Sequence, residues 1–208
     1  MKNKKRIRAA YHEAGHVVAH YLLEGNLDKA DSVDIVETEG RGGQTKAREN
    51  AYRVEDAEIY EKFGAHEYYH TIADLAGYET AGGIRLIINY VCGCLSGGVS
   101  EMLFCGLKRL PKKGMGQDFE DINQLAYHDV MPSETDRNGV ICYPSLNSLI
   151  ETCVYILKSL LTAHSYMVKE VAEALLEKET LDRKALCEIL NTNNTGESCP
   201  YCGCKIKV

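Results

Sequence analysis

The sequence predicts a mainly α-helical (α+β) domain with a small β-sheet. Apolar residues recur every three or four positions along most of the chain, whereas alternation with a period of two is confined to residues 31–38. With 208 residues and 45% hydrophobic content, the chain can bury one substantial core. We therefore expect one domain over residues 1–190, followed by a polar linker and a cysteine-rich tail over residues 191–208.

The first predicted helix has apolar residues at helical spacing between Ile7 and Leu22, and Gly25 is its candidate C-cap. Residues 31–38 and 44–46 lie on either side of a glycine-rich turn and predict a β-hairpin in which Val33 and Ile35 share a face. Such a hairpin either presents an edge to which an extended peptide can add as a strand, or is purely structural. The sequence leaves both alternatives open.

The later part of the chain predicts further helices. Residues 49–80 are polar, aromatic and charged, and we expect exposed helices or a cover there. The apolar stretch 84–104 contains charged and polar residues, which favours buried helices, interrupted at Ser96-Gly97-Gly98, over an integral membrane segment. A helix with acidic residues in its first turn is expected over residues 118–126. Further helices are expected over about residues 146–161, 165–178 and 182–190.

One motif on the first helix carries chemistry: His12-Glu13-Ala14-Gly15-His16 has the form H-E-x-x-H. Histidines four residues apart share a helix face, so both imidazoles can bind one zinc ion. Glu13 lies beside them and can accept a proton from water that the zinc activates, which predicts hydrolysis of peptide bonds. The small residues Ala14 and Gly15 are expected to leave room for a strand or substrate near the metal.

The same pattern occurs again at His66-Glu67-Tyr68-Tyr69-His70, within residues 49–80. Tyrosines separate its histidines, and a tyrosine- and glutamate-rich stretch surrounds it. We therefore assign the zinc site to the first copy and interpret His66 and His70 as surface histidines, with a second metal site as the alternative.

Composition and charge indicate which classes of protein and which cellular location are expected. A net charge of −6 argues against a nucleic-acid binder, because phosphate binding favours a basic face. Nine cysteines, an odd number, and no signal peptide predict a reduced, cytoplasmic protein. Basic residues cluster only at the start, where we expect a solvated helical turn or, alternatively, a contact with an acidic partner or lipid headgroup: Lys2, Lys4, Lys5, Arg6 and Arg8.

Four segments together resemble the protease domain of the FtsH family, the membrane-anchored, ATP-dependent zinc metalloproteases. Their order and spacing agree across residues 9–190. The resemblance implies a zincin-like helical protease domain with a small sheet beside the zinc helix. The matching segments are Ala10-Tyr11-His12-Glu13-Ala14-Gly15-His16, Leu95-Ser96-Gly97-Gly98 with Ser100-Glu101, Gly116-Gln117-Asp118-Phe119-Glu120, and Ala174-Leu175-Leu176-Glu177-Lys178-Glu179-Thr180-Leu181.

The resemblance also implies two acidic site residues. From the residues alone, Asp118 and Asp121 are both ordinary first-turn acids. The resemblance implies that Asp118 is the third zinc ligand, completing a His-His-Asp site whose fourth position is open for water. It places Glu101 near the histidines, where its carboxylate either accepts a ring N–H and fixes the tautomer or forms an ordinary salt bridge.

Two departures from the family bear on partners and organisation. Family members usually carry membrane helices and an ATPase module before the protease domain, whereas the zinc helix begins within the first ten residues here, and no G-x-x-x-x-G-K-[ST] motif occurs. We therefore expect no unfolding of folded substrates by this chain alone, and a separate ATPase or unfoldase and a homo-oligomer are candidate partners. Residues 49–80 exceed the usual connection and are interpreted as an insertion that covers or flanks the cleft.

The tail contains Cys199-Pro200-Tyr201-Cys202-Gly203-Cys204, which has the form of a zinc knuckle. Cys199, Cys202 and Cys204 are candidate ligands for a second, structural zinc ion, and a fourth ligand would have to come from elsewhere. A free reduced tail and a redox role are the alternatives.

The leading functional hypothesis is a zinc metalloendopeptidase that acts on unfolded or flexible polypeptides, with Glu13 as general base. The alternative from another class is a non-hydrolytic binding or regulatory module of the same fold, which associates with a separate ATPase or protease.

Overall fold

The fold is mainly helical with a small antiparallel sheet, as the sequence predicts. The computed structural model describes residues 2–25, 27, 30, 32–36, 43–46, 81–111, 115–127, 146–190, 197–198 and 205–206. The helices in these ranges are α1 (Lys2–Glu24), α2 (Ala81–Phe104), α3 (Gly116–Tyr127), α4 (Leu146–Ala163), α5 (Ser165–Lys178) and α6 (Arg183–Leu190). The strands are β1 (Ser32–Asp34), β2 (Gln44–Lys46), β3 (Thr180–Asp182), β4 (Glu197–Ser198) and β5 (Lys205–Ile206).

Helix α1 lies at the centre of the packing and contacts α2 and α5, while α2 packs on α4. Ala10, Ala14, Val17 and Val18 lie on its fully buried face, at spacings of four, three and one along the helix. Burial of each valine contributes roughly 1.5–3 kcal/mol. The helix ends as predicted at Gly25, which has a φ of 73° and donates its backbone N–H to the Tyr21 carbonyl.

Two expectations about small residues are wrong. Helix α2 is unbroken from Ala81 to Phe104, so Ser96-Gly97-Gly98 does not interrupt it. A Cβ on Gly15 would lie 2.6 Å from the Ser96 carbonyl oxygen, so α2, rather than a substrate or strand, occupies the space beside Gly15. Ala14 is likewise buried in the core. These small residues let α1 and α2 approach closely, which brings side chains of both helices into one site.

The sheet has the order β2-β1-β3, and both pairings are antiparallel. The predicted hairpin is confirmed, since β1 pairs with β2 and both Val33 and Ile35 are buried. Strand β3 was not foreseen; it places Leu181 opposite Val33, and both residues are buried. The third strand fixes the hairpin against the helices that flank it.

Strand β3 begins after a left-handed residue, Glu179, with a φ of 64°. The backbone N–H of Glu179 donates to the Leu175 carbonyl and so caps α5. Arg6 of α1 contacts both the Leu176 carbonyl and the Glu179 carboxylate. Arg6 therefore ties the start of α1 to the end of α5, instead of being only a solvated cation.

Several expectations fall outside the described residues: the insertion at 49–80 with the second H-E-x-x-H pattern, and the cysteines of the tail. In the tail the structure describes only the two-residue strands β4 and β5, which pair antiparallel on either side of residues 199–204. No helix among the described residues has the length and apolar character needed to cross a membrane.

Candidate metal centre

Three predicted site residues from two helices converge on one point. His12 and His16 project from the same face of α1, and their Nε2 atoms are 3.1 Å apart. Asp118, in the first turn of α3, places its carboxylate oxygens 3.7 Å from Nε2 of His12 and 3.8 Å from Nε2 of His16. One ligand atom from each residue lies within 4.8 Å of the others.

The outer nitrogens of both imidazoles are held by acceptors. His12 Nδ1 lies 2.9 Å from the Glu101 carboxylate, and His16 Nδ1 lies 2.9 Å from the Gly93 carbonyl oxygen. Because a carbonyl only accepts, His16 carries its proton on Nδ1 and directs an Nε2 lone pair at the centre. Ser96 completes this arrangement by donating its hydroxyl to the same Gly93 carbonyl at 2.7 Å. Both rings are thus oriented with Nε2 inward, as metal-binding histidines are.

The donor set fits a cation at the point of convergence. Two Nε2 lone pairs 3.1 Å apart repel each other unless a proton or a metal ion lies between them. Ligand bonds of about 2.0–2.1 Å in a tetrahedral zinc site separate neighbouring nitrogens by roughly 3.3–3.4 Å, which is close to the distance found here. Two imidazoles and one carboxylate also supply the ligand types that zinc accepts.

In the absence of a metal ion, the pKa values of His12 and His16 shift in opposite directions. Burial opposes the imidazolium of His12, but Glu101 and the nearby carboxylates of Glu13 and Asp118 raise the pKa of His12 above its usual value. Burial and the neighbouring His12 and His20 lower the pKa of His16 well below its usual value. The surroundings therefore favour a proton on His12 over one on His16.

Glu101 is buried, with its side chain 4% exposed, and each of its oxygens has a partner. One oxygen faces His12, and the other accepts a hydrogen bond from Nε of Arg8 at 2.6 Å. The contacts on which the two alternatives for Glu101 depend, one to a histidine ring nitrogen and one to a cation, are both present. Arg8 departs from the expectation of a solvated helical turn, since it supports this buried carboxylate.

Glu13 lies on α1 beside the two histidines and is 6% exposed. Its carboxylate accepts a hydrogen bond from the hydroxyl of Thr45 on β2, at 2.7 Å. Burial raises the pKa of Glu13, partly offset by His12 and by the Thr45 hydrogen bond. Burial also raises the pKa of Asp118 to about 6, against the opposing effect of His12. Both carboxylates are therefore stronger bases than free ones.

Gly97 of α2 provides the space that the imidazoles occupy. A Cβ at this position would lie 2.6 Å from Nε2 of both His12 and His16. The sequence predicts this glycine within an interruption of the helix, whereas the structure packs it against the candidate ligands.

Sequence reasoning did not find four contributors to the site: Thr45, Gly93, Ser96 and Arg8. Gly93 acts through its backbone carbonyl, which carries no residue-specific signal. Arg8 and Thr45 become relevant only through contacts 93 and 32 residues away along the chain. The candidate tail ligands Cys199, Cys202 and Cys204 lie outside the described residues.

The chain is similar to the ATP-dependent zinc metalloprotease FtsH 2 of Thermoanaerobacter sp. (strain X514). The two are 25% identical over 195 residues, which cover 92% of this chain and 34% of that protein. The chain thus spans about a third of the length of this curated relative. No family model matches the chain. The similarity supports a relationship to FtsH-type proteases, and with it a protease-related function.

Proposed function

We propose that this chain is a zinc metalloendopeptidase that hydrolyses peptide bonds of unfolded or flexible polypeptides. The observation that carries the proposal is the convergence of His12, His16 and Asp118, with Glu13 on the same helix beside them. The similarity to a zinc metalloprotease supports the same reaction class.

Each residue has a distinct role in the proposed reaction. His12, His16 and Asp118 would hold zinc, and three protein ligands are the number that leaves a catalytic zinc one position for water or substrate. Zinc, when bound, supplies Lewis acidity to water and to the scissile carbonyl. Glu13 accepts a proton from the attacking water and later gives it to the leaving amine. The raised pKa of Glu13 suits both transfers, because general acid–base catalysis is most effective near the working pH.

The donor set by itself does not select zinc, since two histidines and one carboxylate also bind non-haem iron(II). Glu13 favours hydrolysis, because a buried carboxylate next to the ligands has a direct role in proton transfer from water. Glu101 and Gly93 support the ligands in either case, by fixing the inward direction of Nε2.

The substrate and partners follow from the sequence and the relative. The relative is described as ATP-dependent, whereas this sequence contains no G-x-x-x-x-G-K-[ST] motif. We propose that the chain cleaves unfolded segments by itself and that folded substrates require an ATPase module outside this sequence. The same proposal includes a cytoplasmic location, a homo-oligomer, and a second zinc ion at Cys199, Cys202 and Cys204.

The test compares the wild type with Glu13→Gln and Asp118→Ala, each assayed for metal content and for cleavage of casein. Glu13→Gln should retain zinc and lose at least about 100-fold in rate, because a general base contributes 10²–10⁴-fold. Asp118→Ala should lose about one zinc per chain. Glu120→Gln, a neighbouring exposed acid on α3, serves as the matched control and should change neither.

Equal activity of Glu13→Gln and the wild type would refute the assignment of the base. A zinc-loaded wild type that cleaves no unfolded substrate, and that co-purifies with an ATPase, would favour the non-hydrolytic module instead.

A further inference from the structure

We propose that Thr45 is a positioning residue for Glu13, holding one carboxylate oxygen so that the other is presented to the attacking water. The inference rests on the proposed function, since it assigns a supporting group to the proposed base. It concerns a contact between β2 and α1 that joins residues 32 positions apart.

The hydrogen bond that carries the inference is short and directed at one oxygen. The Thr45 hydroxyl donates to Oε2 of Glu13 at 2.7 Å. A hydroxyl has one proton to donate, so Thr45 engages Oε2 and leaves the lone pairs of Oε1 outside this hydrogen bond. Hydrogen bonds to an ionised carboxylate are about twice as strong as neutral ones, which favours a single side-chain conformation of Glu13.

The position of Thr45 is itself fixed by the sheet. Thr45 lies opposite Val33 in the β1–β2 ladder, and Val33 in turn lies opposite Leu181 of β3. Val33 and Leu181 are both buried, so the middle of the sheet is anchored in the core. The Thr45 hydroxyl therefore approaches Glu13 from a rigid element instead of a free loop.

Gly43 supplies an independent observation at the other oxygen. A Cβ on Gly43 would lie 2.9 Å from Oε1 of Glu13 and 2.9 Å from the backbone oxygen of Asp34. Because it has no side chain, Gly43 lets the start of β2 lie close to Glu13 without crowding Oε1. Thr45 in the middle of β2 thus contacts Oε2 of the base, and the missing side chain of Gly43, just before β2, leaves space beside Oε1.

The test uses zinc-loaded protein and the substitutions Thr45→Val, which removes only the hydroxyl, and Thr45→Ser, which keeps it. Thr45→Val should lower kcat roughly 10- to 100-fold, as loss of a supporting contact or a small misplacement of a reacting group does. KM and zinc content should stay within about twofold, because the substitution leaves the backbone of β2 in place and Thr45 hydrogen-bonds to Glu13 instead of a candidate ligand. Thr45→Ser should recover most of the rate. Thr180→Val, on β3 of the same sheet, is the matched control and should leave kcat unchanged.

A second measurement tests the contact without using activity. In thermal unfolding of the metal-free protein, Thr45→Val should lower Tm in the wild-type background and have a smaller effect in the Glu13→Ala background. Equal losses of Tm in both backgrounds would overturn the inference, as would wild-type kcat in Thr45→Val alongside an inactive Glu13→Gln. An active Glu13→Gln variant would instead contradict the proposed function, and the Tm comparison would still report on the contact.

Discussion

Replacing Gly97 with alanine places a methyl group where the two candidate histidine ligands meet. The added Cβ would lie 2.6 Å from Nε2 of His12 and of His16, about 0.8 Å closer than the 3.4 Å at which ordinary van der Waals contact begins. Metal–ligand distances tolerate deviations of about 0.2 Å, so the rings must move several times further than a zinc site accepts. We expect zinc affinity to fall at least about 100-fold, or about 2.7 kcal/mol.

The same substitution should leave the fold intact. Overpacking in a core costs about 1–3 kcal/mol, and alanine recovers up to about 1 kcal/mol in the interior of a helix. The net loss of about 0–2 kcal/mol is small beside the usual stability of a domain. Gly98→Ala, the next residue in α2, is the matched control, because its Cβ would meet the side chain of Met115 instead of a candidate ligand.

The assay is a competition titration against a chelator of known zinc affinity, together with thermal unfolding with and without zinc. Zinc should raise Tm in the wild type and in Gly98→Ala, but much less in Gly97→Ala, because a ligand stabilises only the state it binds. If Gly97→Ala remains folded and binds zinc as tightly as the wild type, the two imidazoles do not hold the metal in the arrangement described here.

Two further predictions concern stability. In the metal-free protein the pKa of Asp118 is raised to about 6. The folded state is therefore favoured while Asp118 is protonated, and this contribution to the free energy of unfolding is lost as the pH rises through 6. Relative to Asp118→Asn, the wild type should lose on the order of 3 kcal/mol in urea unfolding between pH 4 and 7, and a constant difference would contradict this. Glu179→Gly should raise Tm by about 1–4 °C, because glycine relieves a φ of 64° and loses only an exposed ion pair with Arg6. The control Glu177→Gly, inside α5, should lower Tm, and a lower Tm in both variants would refute the argument.

The helices and the hairpin could be predicted from the sequence because their signals are local. The bounds of α5 match those predicted from apolar periodicity, and Gly25 marks the end of α1, which its left-handed conformation explains. Strand β3 could not be predicted in this way, because three residues between two helices carry too short a pattern. Its pairing with β1 depends on the tertiary packing that brings the end of α5 to the hairpin.

The residues of the candidate site likewise differ in how far the sequence alone predicts them. His12, Glu13 and His16 were found from spacing on one helix, whereas Asp118 was chosen over Asp121 only through resemblance to a family. The structure places Asp118 near both histidines, and whether these residues bind zinc stays a prediction. The sequence predicts a break at Ser96-Gly97-Gly98, whereas α2 continues through it, because the sequence does not show which neighbours a glycine packs against.

The charge around the centre supplies an argument for a divalent ion that geometry alone does not. Arg8 offsets the buried carboxylate of Glu101, while the carboxylates of Glu13 and of the candidate ligand Asp118 both lie near His12. Burial raises the pKa of both, as expected when the charge of a carboxylate is incompletely offset in a poorly solvated site. One proton on the histidines would offset one of these charges, whereas a divalent cation would offset both. Because removal of such a cation would leave two carboxylates without compensation, metal binding should be coupled to the stability of the contacts between α1, α2 and α3.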